Sequence, residues 1–189
     1  MKILAIDIGT SSVKAALLDG DGNSDGESYS ILCTAKAGYR IRTSNIDWVE
    51  LDAEDVMKAI IGAVKSMPGV SETDLICYDN FSPSILLMDD NGDALHPILT
   101  HMDRRSKKQT QDILNVFGKE RFQAITGIQP FTGGASITSA LWLMENRGDV
   151  WRSSARVGHI NTYIYKQLTG VWAIDPVNAS QTGMYETIT

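Results

Sequence analysis

Residues near the start of the sequence have types and spacing that suit phosphate binding. Asp7 follows an apolar run and Gly9 permits a tight turn. Hydroxyl residues and a lysine come next: Thr10, Ser11, Ser12 and Lys14. Turn N–H groups and hydroxyls donate to phosphate oxygens, and Lys14 adds positive charge. The pattern predicts a β-hairpin whose tip binds a phosphate. Asp7 would hold Mg²⁺ through water, because this ion gives up its hydration shell reluctantly.

The same residues also fit a plain surface hairpin, because Asp-x-Gly-Thr is short enough to arise by chance. The segment is not a P-loop, since no G-x-x-x-x-G-K-[ST] occurs, and it is not a G-x-G-x-x-G dinucleotide turn. From these residues alone, both interpretations remain open: a turn that binds phosphate and a plain surface hairpin.

The composition is that of an ordinary globular protein, with 189 residues of which 43% are hydrophobic and 21% charged. The net charge of −6 argues against nucleic acid as a partner. Cys33 and Cys77 lie in apolar, strand-like segments, which favours reduced core residues of a cytoplasmic protein over a disulfide framework. The first apolar run is too short for a signal peptide, and none approaches the roughly 20 residues of a membrane span. We therefore expect a cytoplasmic protein that binds no membrane.

The elements around the hairpin begin with sheet. Apolar patterns at 2–8, 12–18 and 27–36 predict three antiparallel strands before any helix, unlike the alternation of a doubly wound sheet. A helix is predicted over 52–66, with Asp52 as its N-cap.

After this helix the pattern returns to strands and then becomes mostly helical. Strands are predicted at 74–79, 84–89 and 98–101, with a turn at Asn91-Gly92. The glycine-punctuated remainder predicts five helices, at 103–117, 118–126, 135–147, 148–154 and 160–169.

The acidic turn after the hairpin imitates an EF-hand loop through the spacing of Asp21, Asn23, Asp25 and Gly26. Its twelfth position is Leu32 rather than the bidentate Glu, and strands flank it. A solvated hairpin turn is the better interpretation.

Each of four further segments is ordinary when taken alone, but the order in which they occur along the sequence is informative about the family. They are Trp48-Val49-Glu50-Leu51-Asp52, His101-Met102-Asp103-Arg104-Arg105, Leu141-Trp142-Leu143 with Glu145 and Asn146, and Tyr165 through Ser180 with its Leu-Thr-Gly and Asp-x-x-Asn-Ala-Ser parts. Behind the Asp-x-Gly-Thr-Ser hairpin, this order resembles the N-terminal half of the FGGY carbohydrate kinases, the family of xylulokinase-, gluconokinase- and glycerol-kinase-like enzymes. The resemblance spans nearly the whole sequence.

The resemblance implies a fold: the ribonuclease-H-like α/β domain of actin-like ATPases. This is a mixed sheet that opens with three antiparallel strands and has helices on both sides. It also implies three parts, namely a sheet-rich 1–102, a helical sugar-cleft insertion at about 103–155, and a return to the core at 156–189.

The resemblance also implies a chemistry, the transfer of the γ-phosphoryl group of ATP to a sugar or polyol hydroxyl. Such transfer depends on positioning, magnesium and charge neutralisation. Gly9, Thr10, Ser11, Ser12 and Lys14 would approach the phosphates of ATP. Asp7 would organise Mg²⁺.

On the sugar side the sequence departs from the family. Where members commonly carry Gln-x-His-Gly or Arg-Glu, this sequence reads Phe81-Ser82-Pro83-Ser84. His101 replaces the aromatic residue of a W-x-D-x-R segment, Asp103 remains as an acceptor for sugar hydroxyls, and Phe131 would form an aromatic wall. With Ser82 short and Pro83 lacking a hydrogen-bonding side chain, the identity of the sugar stays open.

Nothing in the sequence corresponds to the family's catalytic aspartate or to its nucleotide-binding domain. We therefore expect an N-terminal fragment of a two-domain kinase, inactive alone, whose partners are a small sugar or polyol and its own C-terminal domain. A homodimer stays open. The alternative is a non-catalytic module that senses a sugar or nucleotide; a filament protein related only by fold is disfavoured because no signature of one is present.

Overall fold

The computed structural model describes residues 1–20 and 29–187. The chain divides into two compact units, each built from two stretches of sequence. Unit 1 comprises Met1–Arg40 and Glu54–Phe81, and unit 2 comprises Ile41–Ala53 and Ser82–Thr189. Each unit has its own sheet.

The sheet of unit 1 has four strands in the order β3-β2-β1-β6. Their bounds are β1 Lys2–Ile8, β2 Ser12–Asp19, β3 Ser30–Gly38 and β6 Leu75–Asn80. The first three strands are antiparallel neighbours, and β6 lies parallel to β1. The predicted mixed sheet with its opening of three antiparallel strands is therefore confirmed.

Strict alternation along β1 and β2 gives this sheet one buried face. The side chains of that face are Leu4, Ile6, Ile8, Val13, Ala15 and Leu17. Helix α1, at Ala53–Lys65, buries a helical stripe that includes Val56, Ile60 and Ala63. Burial of each larger aliphatic side chain stabilises the fold by about 1.5–3 kcal/mol. A single 3₁₀ turn at Val70–Glu72 leads from α1 toward β6.

Unit 2 is built on a five-stranded sheet in the order β4-β5-β8-β7-β9, with every pair antiparallel. Its strands are β4 Ile41–Arg42, β5 Glu50–Leu51, β7 Ser84–Met88, β8 Ile98–Thr100 and β9 Arg156–Gly158. Every residue of β7 is buried. The core joins this strand and its neighbour to helix α4 through Ile85, Leu87, Leu99, Ala140 and Leu143.

The helices of unit 2 follow the predicted order. Their bounds are α2 Lys107–Phe117, α3 Lys119–Thr126, α4 Ser136–Asn146, α5 Gly148–Ser153, α6 Ile160–Thr169 and α7 Pro176–Ser180. Helix α2 begins four residues later than predicted, because Asp103 turns its carboxylate back onto the N–H of Arg105 and forms a turn. Helix α7 was not predicted; the Asp175 side chain caps it by accepting from the Asn178 N–H.

Of the remaining expectations, the structure confirms the turn and differs on the start of the third strand and on the division into parts. The turn at Asn91-Gly92 is confirmed: Asp89 accepts three successive backbone N–H groups, and Gly92 adopts φ 98°. The third strand begins at Ser30 within the described residues, whereas the calcium-like spacing at 21–26 lies outside them. The two units also cut across the predicted three-part division, since 41–53 belongs with 82–189. In the part of the chain that is described, no helix is long and apolar enough to cross a membrane.

Candidate functional site

The predicted phosphate turn lies between β1 and β2 in unit 1. The last pair of the hairpin is Ile8 with Val13, and the Gly9 N–H donates to the Ser12 carbonyl at 3.0 Å. Thr10 and Ser11 form the tip. Within the described residues neither their backbone N–H groups nor their hydroxyls have a hydrogen-bond partner. The tip therefore offers a set of free donors, which is what a phosphate requires.

A tyrosine just beyond β3 holds the other side of this turn. The Tyr39 hydroxyl donates to the Gly9 carbonyl, and the Tyr39 N–H donates to the Ser11 carbonyl at 3.2 Å. Burial, with the nearby negative charge of Asp7, raises the pKa of Tyr39 to about 12. Tyr39 therefore remains a hydrogen-bond donor throughout the physiological pH range.

Asp7 and Lys14 face each other across the hairpin and form an exposed ion pair, with Nζ 3.1 Å from Oδ2. The strand register extends this pair into a row of four charged residues across the sheet, because Lys14 pairs with Lys36 and Asp7 pairs with Asp79. All four side chains line one open cavity of about 770 Å³. With strands spaced about 4.8 Å apart, the row spans about 14 Å, with lysines on one half and aspartates on the other.

The residues present fit a magnesium ion held through water. The Asp7 carboxylate is about half exposed, and its second oxygen has no partner within the described residues. No group of three or more His, Cys, Asp or Glu side chains in the described part of the chain could enclose a metal. A hydrated Mg²⁺ that shares its coordination with phosphate oxygens needs only such an open carboxylate.

Two of the predicted sugar residues lie in unit 2 at the start of β7. The Ser82 hydroxyl lies 2.9 Å from Asn178 Oδ1 and 3.0 Å from Gln181 Oε1, and Pro83 is buried. Ser82 is therefore engaged with the 178–181 segment rather than free. Gln181, which the sequence analysis did not single out, is held in place by this contact.

Behind Ser82 lies a buried polar network centred on His159. Asn178 donates through Nδ2 to an Asp175 carboxylate oxygen at 2.7 Å. This directs the Oδ1 of Asn178 toward His159 Nδ1, at 3.0 Å. His159 Nδ1 therefore carries the proton, and Nε2 accepts from the Ser136 hydroxyl at 2.7 Å. Burial lowers the pKa of His159, which keeps it neutral. This network joins the starts of α4 and α6 to the Ser82 segment.

His101 and Phe131 belong to two loops that Arg104 ties together. Arg104 Nη1 donates to the carbonyls of His101 at 2.6 Å and Thr132 at 3.0 Å. Gly133 must be glycine here, because it has φ 77° and an added Cβ would lie 2.5 Å from the His101 carbonyl oxygen. The Phe131 ring remains 55% exposed. Burial, together with the charge of Arg104, lowers the pKa of His101.

Asp103, which we expected to accept from sugar hydroxyls, has its carboxylate oxygens engaged within the chain. It is fully buried, and its oxygens accept from the Val49 N–H at 2.8 Å and from Arg105 at 2.8–3.0 Å. Arg105 also donates to Glu50 at 2.7 Å. With its acceptors occupied, Asp103 positions Arg105 and the 48–50 segment.

The guanidinium of Arg105 is enclosed by aromatic rings. Its central carbon lies 3.9 Å from the ring centroid of Trp48 and 4.9 Å from that of Trp142. One cluster around the Arg105 side chain therefore joins residues from three of the sequence segments noted above: the buried acids Glu50 and Asp103 and the half-buried Trp48 and Trp142. The sequence did hold a signal for this cluster. Two acidic residues, one arginine and two tryptophans occur in a chain that has enough apolar residues to bury them.

Sequence reasoning missed Tyr39, Lys36 and Asp79 around the phosphate turn. Lys36 and Asp79 could have been found only from strand register, since each stands on a strand next to the hairpin. Tyr39 carried no local signal, because its partner Gly9 is 30 residues away.

Comparisons with known proteins agree on one family. The sequence model described as "FGGY family of carbohydrate kinases, N-terminal domain" matches residues 2–189. The chain is 28% identical over 185 residues to a gluconokinase of Bacillus subtilis, covering 96% of this chain and 34% of that protein. It is 28% identical over 174 residues to a xylulose kinase of Lactococcus lactis, covering 89% of this chain and 33% of that protein.

Solved structures support the fold. A gluconate kinase from Lactobacillus acidophilus matches with a TM-score of 0.86 at 22% identity, covering 98% of this chain and 36% of that one. A Plasmodium falciparum glycerol kinase with ADP matches with a TM-score of 0.86 at 22% identity, covering 98% of this chain and 38% of that one. The chain thus spans about a third of the length of the relatives it matches.

Proposed function

Because this chain belongs to the FGGY family of carbohydrate kinases, we propose that it forms the N-terminal part of an enzyme that transfers the γ-phosphoryl group of ATP to a hydroxyl of a sugar or polyol. The observation that carries the proposal is the turn at Gly9–Ser12, whose tip has N–H and hydroxyl donors with no partner among residues 1–20 and 29–187. The Asp7–Lys14 pair lies on the two strands that this turn joins. Such positioned donors and charges are what phosphoryl transfer needs.

On the ATP side, Gly9, Thr10, Ser11 and Ser12 form the cradle for phosphate oxygens, and Lys14 neutralises their charge. Lys36 extends the positive half of the row. Asp7 would hold Mg²⁺ through water, and Mg²⁺ when bound would neutralise phosphate charge. These assignments follow from the donors and charges available in unit 1.

On the sugar side, His101 and Phe131 are the substrate-facing candidates. The neutral His101 ring offers hydrogen bonding, and the exposed Phe131 ring offers an apolar wall. Ser82 acts by holding Gln181, whose amide nitrogen is then directed to a substrate hydroxyl, and Pro83 is a buried neighbour of Ser82. Asp103 is a positioning residue.

The catalytic base and the nucleotide domain lie outside these 189 residues in this proposal. The isolated chain is therefore inactive, and its partner is the C-terminal part of the kinase. The protein is proposed to be cytoplasmic, in keeping with its composition and two free cysteines.

The test is an ADP-release assay with Mg²⁺–ATP and a panel of gluconate, xylulose and glycerol, on the isolated chain and on the polypeptide encoded when the gene is read beyond codon 189. The proposal expects turnover of at least one substrate by the longer polypeptide and none by the chain alone. Turnover by the isolated chain would overturn the assignment of the base to a later segment.

A second candidate is a non-catalytic module that senses a sugar or nucleotide. It is favoured by the engaged Ser82 hydroxyl and buried Pro83, which leave the usual sugar segment without a free polar side chain. A natural stop codon, or absence of the family's catalytic aspartate from the downstream sequence, together with ligand-induced thermal stabilisation and no turnover, would support this candidate.

A further inference from the structure

The two faces of the Gly9–Ser12 turn have opposite polarity. Two of its carbonyls, those of Gly9 and Ser11, accept from Tyr39, while the N–H groups of Thr10 and Ser11 have no partner in the described residues. A phosphate is repelled by carbonyl oxygens and attracted by N–H donors. The turn can therefore bind phosphate only while its carbonyls are directed away from the ligand.

The geometry of one peptide unit links Tyr39 to this polarity. The C=O and N–H of a planar trans peptide point in opposite directions. The Gly9 carbonyl and the Thr10 N–H belong to the same peptide unit, and the cis bond found in the described residues is elsewhere, at Ser82–Pro83. When the Tyr39 hydroxyl holds the Gly9 carbonyl, it aims the Thr10 N–H to the opposite side.

Glycine at position 9 makes such a restraint necessary. Without a side chain, its backbone rotates more freely than any other residue, so the Gly9–Thr10 peptide could turn over at little cost. The Tyr39 hydroxyl and N–H fix the turn at two carbonyls, and half-burial of the ring fixes Tyr39 itself. An N–H donor that is already oriented loses less conformational entropy when the ligand binds than a donor that the ligand must order.

We propose that Tyr39 is a positioning residue for nucleotide phosphate: through the Gly9 carbonyl it presents the Thr10 N–H to the phosphate oxygens. This inference rests on the proposed function, since it assumes that the turn binds phosphate. Tyr39 itself does not touch the ligand.

The test uses the 189-residue chain labelled with ¹⁵N and titrated with Mg²⁺–pyrophosphate, followed by amide NMR. In the wild type the Thr10 and Ser11 amide signals move with added ligand. Tyr39→Phe keeps the ring but removes the hydroxyl, and it weakens binding roughly three- to tenfold, the range that loss of one hydrogen bond gives. Tyr29→Phe, a change at an exposed tyrosine outside the turn, leaves the affinity unchanged.

A purely structural role for Tyr39 gives a different result. In that case Tyr39→Phe lowers the melting temperature but binds Mg²⁺–pyrophosphate with wild-type affinity below its transition, and the inference is overturned. If the wild type itself shows no shifts at the turn, the phosphate assignment of the proposed function fails instead.

A measurement on the wild type alone covers the case in which Tyr39→Phe does not fold. The Thr10 amide hydrogen exchanges rapidly with solvent in the free chain and slows when Mg²⁺–pyrophosphate is added. Protection in the free chain would mean that this N–H already faces the protein, which contradicts the proposed orientation.

Discussion

At the scale of single residues, Asp7 is the group whose loss costs the most in the proposed reaction. Asp7→Ala in the complete kinase removes the carboxylate that organises the hydrated metal and pairs with Lys14. We expect kcat to fall about 100-fold, since misplacing reacting groups by about 1 Å has that effect. Steady-state kinetics with saturating ATP checks this.

Asp19→Ala is the matched control, because Asp19 stands on the same hairpin at the far end of β2 and pairs only weakly with the chain terminus. Its kcat should equal that of the wild type. Unchanged turnover in Asp7→Ala would remove Asp7 from the mechanism.

His101 allows a separate prediction for the sugar side. His101 belongs to a loop that Arg104 joins to the loop of Phe131. His101→Ala should raise KM for the sugar at least several-fold more than KM for ATP, because the change affects one substrate only. Lys108→Ala, an exposed change on α2, should alter neither constant; an effect of His101→Ala confined to ATP would refute its placement.

The local arrangement of residues was predictable where the partners lie close together in sequence. The hairpin from Asp7 to Lys14 needed only local spacing to be recognised. The internal partners of Asp103 were not predictable, because its sequence context is the same whether or not its carboxylate accepts from the Val49 N–H, which is 54 positions away.

At the scale of elements, the cluster around Arg105 determines whether β5, β8 and α4 pack together. Its guanidinium is 1% exposed, bridges Glu50 and Asp103, and lies against two tryptophan rings. Arg105→Lys cannot reproduce the planar contacts. Lysine keeps the charge but loses some of the hydrogen bonds to the two carboxylates, so we expect a loss of about 2 kcal/mol in the free energy of unfolding, within the range for hydrogen bonds to charged groups.

Urea denaturation measures this loss. The exposed change Arg121→Lys on α3 is the control and should stay within about 0.5 kcal/mol of wild type. Equal stability of the two variants would mean that the buried cluster contributes little.

The buried histidines predict how stability depends on pH. Burial lowers the pKa of His96, His101 and His159 below the ordinary value. The unfolded chain then binds more protons than the folded chain as pH falls below about 6.5, so folding stability is intact above that pH and decreases below it. Urea midpoints between pH 8 and pH 5 test the direction.

His159→Gln supplies the matched variant, since it removes the titrating ring from the network of Ser136 and Asn178. The variant should be less stable at pH 8 but lose less stability between pH 8 and pH 5. A slope as steep as that of the wild type would assign the pH dependence to other groups.

Long elements were predictable and short ones were not. The strands of the hairpin and the helices had enough periodic residues to define a face. The two-residue strands β4 and β5 form because they pair with each other and because β5 also pairs with β8, about 50 residues further along the chain. No pattern within two residues can encode such a partner.

At the scale of the whole molecule, two units each assemble from separated stretches. The 41–53 segment leaves unit 1 to join unit 2, and the chain then returns to unit 1 for α1 and β6. The family resemblance predicted the fold class, but the exact exchange of segments depends on long-range pairing. That is why the three-part division expected from sequence differs from the two units of the structure.

The position of the tryptophans gives this division a spectroscopic consequence. All four tryptophans of the sequence, Trp48, Trp142, Trp151 and Trp172, lie in the stretches that form unit 2, and none lies in unit 1. Indole emission therefore reports on unit 2, which carries His101 and Phe131, and does not report on the Gly9–Ser12 turn of unit 1. If both units unfold together, the transition followed by tryptophan emission coincides with the transition followed by far-ultraviolet circular dichroism. If the two transitions differ, the difference between the two signals reports the unfolding of unit 1.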